Sequence, residues 1–221
     1  MGIKIGENIM CIKQLEESKF IVIVRGVAKD KLIPLAQAMY DGGIRFMECT
    51  YDSQGLIPDE EIAANIKMLS EHFENKMYIG AGTVLTEKQV LLTKEAGGKF
   101  IISPDTNAEI IKITKEKGLV SIPGALTPTE IATAKRAGAD FIKVFPMDSM
   151  GSKYLKDVLA PLSHCKLLAV GGITRDNIKE YLNAGASGFG IGSGIVHKPA
   201  IESGDFEEIT RRAKLYTGEL K

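Results

Sequence analysis

The chain is expected to be an α/β protein folded as one closed (β/α)8 barrel. Three observations point there: short apolar strands alternate with helical segments, a glycine signature recurs every second unit, and no composition break divides the 221 residues. The strands come first. Glycine-bounded apolar or β-branched runs occur at Phe20–Arg25, Ile44–Thr50, Met77–Thr83, Lys99–Pro104, Leu119–Gly124, Asp140–Pro146, Lys166–Gly171 and Ser187–Ser193.

Segments of helical period lie between and after these runs, at 31–40, 60–73, 87–95, 108–117, 128–137, 154–162, 175–183 and 205–216. The repeat is Gly42-Gly43-Ile44-Arg45-Phe46, Gly97-Gly98-Lys99-Phe100-Ile101, Gly138-Ala139-Asp140-Phe141-Ile142 and Gly185-Ala186-Ser187-Gly188-Phe189. Each closes a helix and opens an even-numbered strand. No Gly-x-Gly-x-x-Gly opens a helix after the first strand, which argues against an open doubly wound sheet. A single domain spanning 1–221 is expected, with residues 1–19 as a helical cap and 20–217 as the barrel. In the cap, Ile9, Ile12 and Leu15 are spaced to present one face to the barrel bottom.

Composition excludes several function classes. Lys+Arg 28 balances Asp+Glu 28, so no global field favours nucleic acid or an anionic membrane, and any anion site must be local. Cys11, Cys49 and Cys165 are far apart and form no C-x-x-C, and His72, His164 and His197 show no H-E-x-x-H spacing. Neither a disulfide framework nor a metal site is expected. With no apolar run of about 18 residues and no signal-peptide core, a soluble, unprocessed, cytoplasmic protein is expected.

The most informative residue is Lys143, set within Phe141-Ile142-Lys143-Val144-Phe145-Pro146. An ammonium in an apolar strand is costly to desolvate, so its pKa falls and the neutral amine becomes a candidate nucleophile toward a carbonyl. Alternation groups Phe141, Lys143 and Phe145 on one face, Phe46, Glu48 and Thr50 on another, and Ile21, Ile23 and Arg25 on a third. Periodicity does not say which faces point inward. Ionisable residues late in three strands nevertheless converge on the barrel's catalytic end. A purely structural pairing of Glu48 with Lys143 or Arg25 is the bland alternative, but such pairs add little net stability. Glu48 as general acid/base is preferred, with Arg25 anchoring a carboxylate or other anion.

The seventh and eighth strands end in Val170-Gly171-Gly172-Ile173-Thr174 and Gly190-Ile191-Gly192-Ser193-Gly194. Glycines there let backbone N–H groups approach an anion, at the place where this fold usually cradles phosphate. Tight turns alone would leave the clustering at both ends unexplained. Gly80-Ala81-Gly82-Thr83-Val84 stays open between a substrate contact through Thr83 and a close turn.

These residues together resemble the family of 2-keto-3-deoxy-6-phosphogluconate (KDPG) aldolase and 4-hydroxy-2-oxoglutarate (KHG) aldolase, class I pyruvate aldolases on a TIM barrel. The carriers are Gly42-Gly43, Met47-Glu48-Cys49-Thr50, Gly80-Ala81-Gly82-Thr83-Val84-Leu85, Ile102-Ser103-Pro104, Ile122-Pro123-Gly124, the Lys143 strand and Gly171-Gly172-Ile173, in order along nearly the whole chain. The resemblance implies that Lys143 forms a Schiff base and Glu48 shuttles protons. It implies that Thr83, Pro104 and Phe145 surround the pyruvate portion, while Gly171, Gly172, Gly192 and Ser193 contact a phosphate. It also implies a homotrimer, with no cofactor and a phosphorylated keto acid as ligand. Two positions depart from the family pattern: Asp52 stands where arginine is common, and Val170 where threonine is common.

The expected reaction is cleavage of a 2-keto-4-hydroxy acid to pyruvate and an aldehyde, glyceraldehyde 3-phosphate or glyoxylate. The alternatives are a metal-dependent barrel acting on another sugar phosphate and a non-catalytic phosphate-binding barrel. An Asp-x-Lys-x-x-Asp decarboxylase pattern is not met, because Pro146 stands three residues after Lys143.

Overall fold

The computed structural model describes residues 2–220. Its elements run in the order α1 (Gly2–Ser18), β1 (Phe20–Val24), α2 (Lys29–Asp41), β2 (Phe46–Thr50), α3 (Asp59–His72), β3 (Tyr78–Gly82), α4 (Glu87–Glu95), β4 (Phe100–Ile102) and α5 (Ala108–Glu116). They continue with β5 (Val120–Ile122), β6 (Gly124–Ala125), α6 (Pro128–Arg136), β7 (Ile142–Val144), α7 (Gly151–Leu159), β8 (Leu167–Val170), α8 (Ile178–Asn183), β9 (Gly188–Ile191), α9 (Lys198–Ser203) and α10 (Phe206–Gly218).

Every expected strand is present, and all pair in parallel in the order β5-β4-β3-β2-β1-β9-β8-β7-β6. The count is nine rather than eight because the expected strand 119–124 is split at Pro123 into β5 and β6. Proline lacks an N–H, so the ladder is interrupted there. Its carbonyl still accepts from Lys143 N at 2.8 Å, and Ser121 O accepts from Asp140 N at 3.0 Å, so one bent strand bridges the two ends of the sheet. The result is a nearly closed barrel with helices between its strands.

Helix starts follow local chemistry. Thr86 and Thr127 form reciprocal capping boxes with Gln89 and Glu130, and the Asn107 and Asp205 side chains accept from the first turns of α5 and α10. The helix α9 was not expected. Its signals are a proline in its first turn and Gly204 in the left-handed region beyond its end.

Two apolar clusters separate the faces. Val22, Met47, Ile79, Ala81, Ile101, Ile142 and Ala169 pack outward against the helices. Ile21, Phe46, Phe100, Ile102, Val120, Ile122, Phe141, Leu168 and Val170 pack together inside the barrel. Strand alternation then places Glu48 and Thr50 inside with Phe46, and Lys143 inside with Phe141. Cys11 and Leu15 of α1 join the inner cluster, and Phe46 stacks on Tyr78 with ring centroids 4.7 Å apart. Ile9 does not belong to that face and is 47% exposed. Six positions separate it from Leu15, which turns it about 120° around the helix, whereas Cys11 lies only about 40° off.

Candidate active site

Glu48 sits mid-strand in β2, in register with Ile23 on one side and Gly80 on the other. It is buried, with 2% of its surface exposed. Oε1 accepts a hydrogen bond from the Thr50 hydroxyl at 3.2 Å, while Oε2 is buried with no hydrogen-bond partner. An orphaned carboxylate oxygen at such depth is expensive unless the carboxyl is protonated or meets a ligand. Burial pushes the Glu48 pKa up, against the opposing pull of Lys143, the Thr50 hydroxyl and Arg25.

Room for this side chain is made by Gly82. A Cβ built there would lie 1.6 Å from Glu48 Oε1, so only a residue without a side chain lets the carboxyl occupy its place. The sequence reading left Gly82 open; its function is to clear this volume.

Lys143 is partly buried in β7, in register with Gly124 and Leu168. Burial lowers its pKa, the Glu48 charge opposes that fall and the Arg25 charge adds to it. Its Nζ lies 5.0 Å from the centroid of the Phe145 ring, which is itself 45% exposed at the barrel mouth. The carboxyl driven toward its neutral form and the amine driven toward its neutral form feel each other's charge in one interior. Such a pair supplies an unprotonated nucleophile and a proton donor together.

Arg25 follows β1 and donates from Nη2 to the Thr83 hydroxyl at 3.1 Å. Thr83 adopts φ 54°, a left-handed conformation that is costly for a β-branched residue and concentrates at working sites. Arg25 and Thr83 thus lie just past the carboxyl ends of β1 and β3, and Glu48 and Lys143 lie within β2 and β7 where the Arg25 charge acts on both. Pro104 adjoins this group through its carbonyl, which lies 2.3 Å from where a Cβ on Gly124 would stand. Phe145 reaches the glycine loops: a Cβ on Gly171 would be 3.3 Å from its ring.

Gly171, Gly172, Gly192 and Ser193 form a second group on the loops after β8 and β9, with Gly171 at φ 94° and Gly172 at φ 68°. Gly192 has nothing within 4 Å of the position its Cβ would take, so it borders open space. The expected site thus has two ends, one ionisable and one built of glycine backbone.

Two positions change meaning. Asp52 accepts from the backbone N–H groups of Gln54 at 3.0 Å, Leu56 at 2.7 Å and Ile57 at 3.0 Å. Those bonds, with the nearby Arg25 charge, hold its pKa below the usual value. It organises its own loop, and its charge is already partnered. Val170 lies inside the barrel at 5% exposure, and its Cγ2 would be 2.8 Å from a Cβ on Gly190. It packs as an apolar wall below the glycine end. Thr50 is the hydrogen-bond partner that sequence reasoning placed on the right face without giving it a role.

Among the described residues, no three His, Cys, Asp or Glu side chains are grouped to hold a metal ion, and no helix is long and apolar enough to cross a membrane.

A family model described as KDPG and KHG aldolase matches residues 11–212. The chain is 34% identical over 176 residues, covering 79% of its own length and 83% of the relative's, to a 2-dehydro-3-deoxy-6-phosphogalactonate aldolase of Escherichia coli (strain K12). It is 32% identical over 204 residues, covering 90% and 92%, to a 2-dehydro-3-deoxy-phosphogluconate aldolase of Haemophilus influenzae. Among solved structures, KDPG aldolase from Legionella pneumophila, with pyruvate captured as a covalent carbinolamine, superposes with a TM-score of 0.79 at 28% identity, covering 89% of this chain and 93% of that one.

Proposed function

Because the chain belongs to the KDPG and KHG aldolase family, we propose that Lys143 and Glu48 carry a class I, Schiff-base cleavage of a phosphorylated 2-keto-3-deoxy sugar acid to pyruvate and an aldehyde phosphate. The observation that carries this is the pair itself: a buried carboxyl with raised pKa and a partly buried amine with lowered pKa, both facing the barrel interior.

In the proposed reaction, neutral Lys143 Nζ attacks the C2 ketone and forms a carbinolamine. Protonated Glu48 gives its proton to the departing hydroxyl, which leaves as water and yields a protonated imine. The new positive charge favours the Glu48 carboxylate, which then takes the proton from the C4 hydroxyl. The C3–C4 bond breaks toward the imine, releasing the aldehyde and leaving an enamine. Protonation at C3 and attack of water on the imine carbon return pyruvate and free Lys143.

Arg25 and Thr83 would hold the carboxylate end, replacing the arginine that this family commonly carries at the position of Asp52. Their hydrogen bond, and the effect of the Arg25 charge on Glu48, support that reading. Pro104 and Phe145 would enclose the pyruvate portion, and Gly171, Gly172, Gly192 and Ser193 would take the phosphate. The proposal includes a cytoplasmic homotrimer, which sedimentation at several protein concentrations would check.

The deciding experiment is reduction with borohydride in the presence of pyruvate. A reduced adduct is expected at Lys143 and absent in Lys143→Ala, with cleavage falling by about 10⁴-fold or more in that variant. An active enzyme with Lys143 unlabelled would refute the assignment.

A further inference from the structure

The helix α10 runs behind the two glycine loops, and a cleft of about 310 Å³ opens between them. Thr174, Arg175, Gly194, Arg212 and Tyr216 line it. On this side Arg175, Arg212 and Tyr216 border a gap beside the loops, while Ile173 and Ile195 of those loops pack into the apolar core.

Arg212 and Tyr216 stand one turn apart on α10 and share a face. Arg212 Nη1 donates to Gly194 O at 3.3 Å, while its Nε donates to Glu208 Oε1 at 2.7 Å. Glu208 also accepts from Arg211 at 2.6 and 2.8 Å, so the carboxylate that orients Arg212 is itself held. Although burial raises the pKa of Tyr216, its hydroxyl lies close enough to the backbone of Arg175, in the loop after β8, for that backbone to draw the pKa down in opposition. It also abuts the loop after β9: a Cβ on Gly194 would stand 2.2 Å from that hydroxyl.

The loop after β9 is a tight turn in which Gly192 O accepts from Ile195 N at 3.1 Å and Val196 N at 2.9 Å. Within it the Gly194 carbonyl is drawn out toward α10. The Gly194 carbonyl shares its peptide plane with Ile195 N–H, which donates to Gly192 O, so the pull of Arg212 on that plane is passed across the turn to Gly192. Donors ordered before the ligand arrives cost less to order when it binds.

We propose that Arg212 and Tyr216 are positioning residues that hold both glycine loops from behind and thereby set the affinity for the phosphate end of the substrate. This rests on the reading that those loops take the phosphate, and neither side chain touches the reacting atoms.

The test uses the full chain and inorganic phosphate as a competitive inhibitor of cleavage. Arg212→Gln removes the charged fork, and Tyr216→Phe removes only a hydroxyl. In both, the inhibition constant of phosphate and the KM for the phosphorylated substrate are expected to rise by roughly three- to tenfold. Cleavage of unphosphorylated 4-hydroxy-2-oxoglutarate should stay within about twofold in kcat/KM, a split that general damage to the fold would not produce. Lys214→Ala, exposed on the same helix but outside the cleft, should leave both constants unchanged. Unaltered phosphate inhibition in both variants, or equal losses on the two substrates, would overturn the proposal. If phosphate fails to compete even with the unsubstituted enzyme, the assignment of the loops falls, and this proposal falls with it.

Discussion

Gly82 and Glu48 share a single volume: the place where a Cβ on Gly82 would sit is 1.6 Å from Glu48 Oε1. Gly82→Ala therefore forces the carboxyl out of its position beside Thr50. Overpacking of this kind costs about 1–3 kcal/mol of stability. With Glu48 as the proposed proton donor, cleavage should fall further than stability does, by about 10²-fold or more in kcat. Thermal unfolding and steady-state rates on one preparation check both parts.

The opposite shifts of Glu48 and Lys143 make this pair a burden on the fold, with a defined pH dependence. A carboxyl whose folded pKa is raised binds more protons folded than unfolded above its ordinary value of 4.5, so stability is lost as pH rises through that window. For Lys143, lowered from 10.5, the unfolded chain binds more protons between the lowered value and 10.5, so stability is regained as pH rises there. Glu48→Gln should raise Tm more at about pH 8 than at about pH 4, while kcat drops by about 10²–10⁴-fold. The double variant Glu48→Gln with Lys143→Met should be more stable than the parent by about 1–4 kcal/mol near neutral pH, and inactive. A parent more stable than the double variant would contradict this account.

The strand and helix alternation was legible because each barrel strand is a short apolar run, and the candidate residues Glu48 and Lys143 drew notice because charges in such runs stand out. What escaped was set by contacts distant in sequence. Pro123 splits a strand whose apolar pattern continues through it, and the inward faces emerge only when Phe46, Phe100 and Phe141 meet inside. The stretch around Gly82 stayed open between a Thr83 contact and a close turn because the side chain that Gly82 accommodates belongs to another strand. Asp52 stood out only as a departure from the family pattern, because backbone N–H donors leave no trace in composition. The contact from α10 was hidden for the same reason, since Arg212 donates to a backbone carbonyl.

Asp52 illustrates a second testable point. Its pKa is lowered because three N–H groups converge on the charged carboxylate, so the stability it contributes is present above its ordinary value of 3.8 and is lost as pH falls through the lowered value. Asp52→Ala should lower Tm at about pH 7 and lose that difference in strong acid. With the loop 53–57 released beside Arg25, KM should rise while kcat stays within about threefold. Hydrogen exchange at Leu56 and Ile57 should quicken in the variant. Unchanged exchange there would show that the carboxylate does not order the loop.

Arg25 supplies the last prediction, because it decides whether the Asp52 departure matters. Its guanidinium is exposed at the barrel mouth, held by Thr83, and close enough to Glu48 and Lys143 to perturb both. A carboxylate bound there would make charge-assisted hydrogen bonds worth about 1.5–3 kcal/mol, so Arg25→Ala should raise KM for every keto-acid substrate by roughly 10–100-fold. The loss should be the same with and without a phosphate on the substrate, since the phosphate loops are untouched. Arg25→Lys keeps the charge but not the planar fork, and should recover only part of the affinity. Removing Arg25 also removes one influence that lowers the Lys143 pKa, so the acidic limb of the kcat/KM profile should move to higher pH. Thr83→Val should reproduce a smaller part of the KM effect by freeing the guanidinium, without moving that limb. An acidic limb that stays fixed in Arg25→Ala would mean that Arg25 is remote from the nucleophile during turnover.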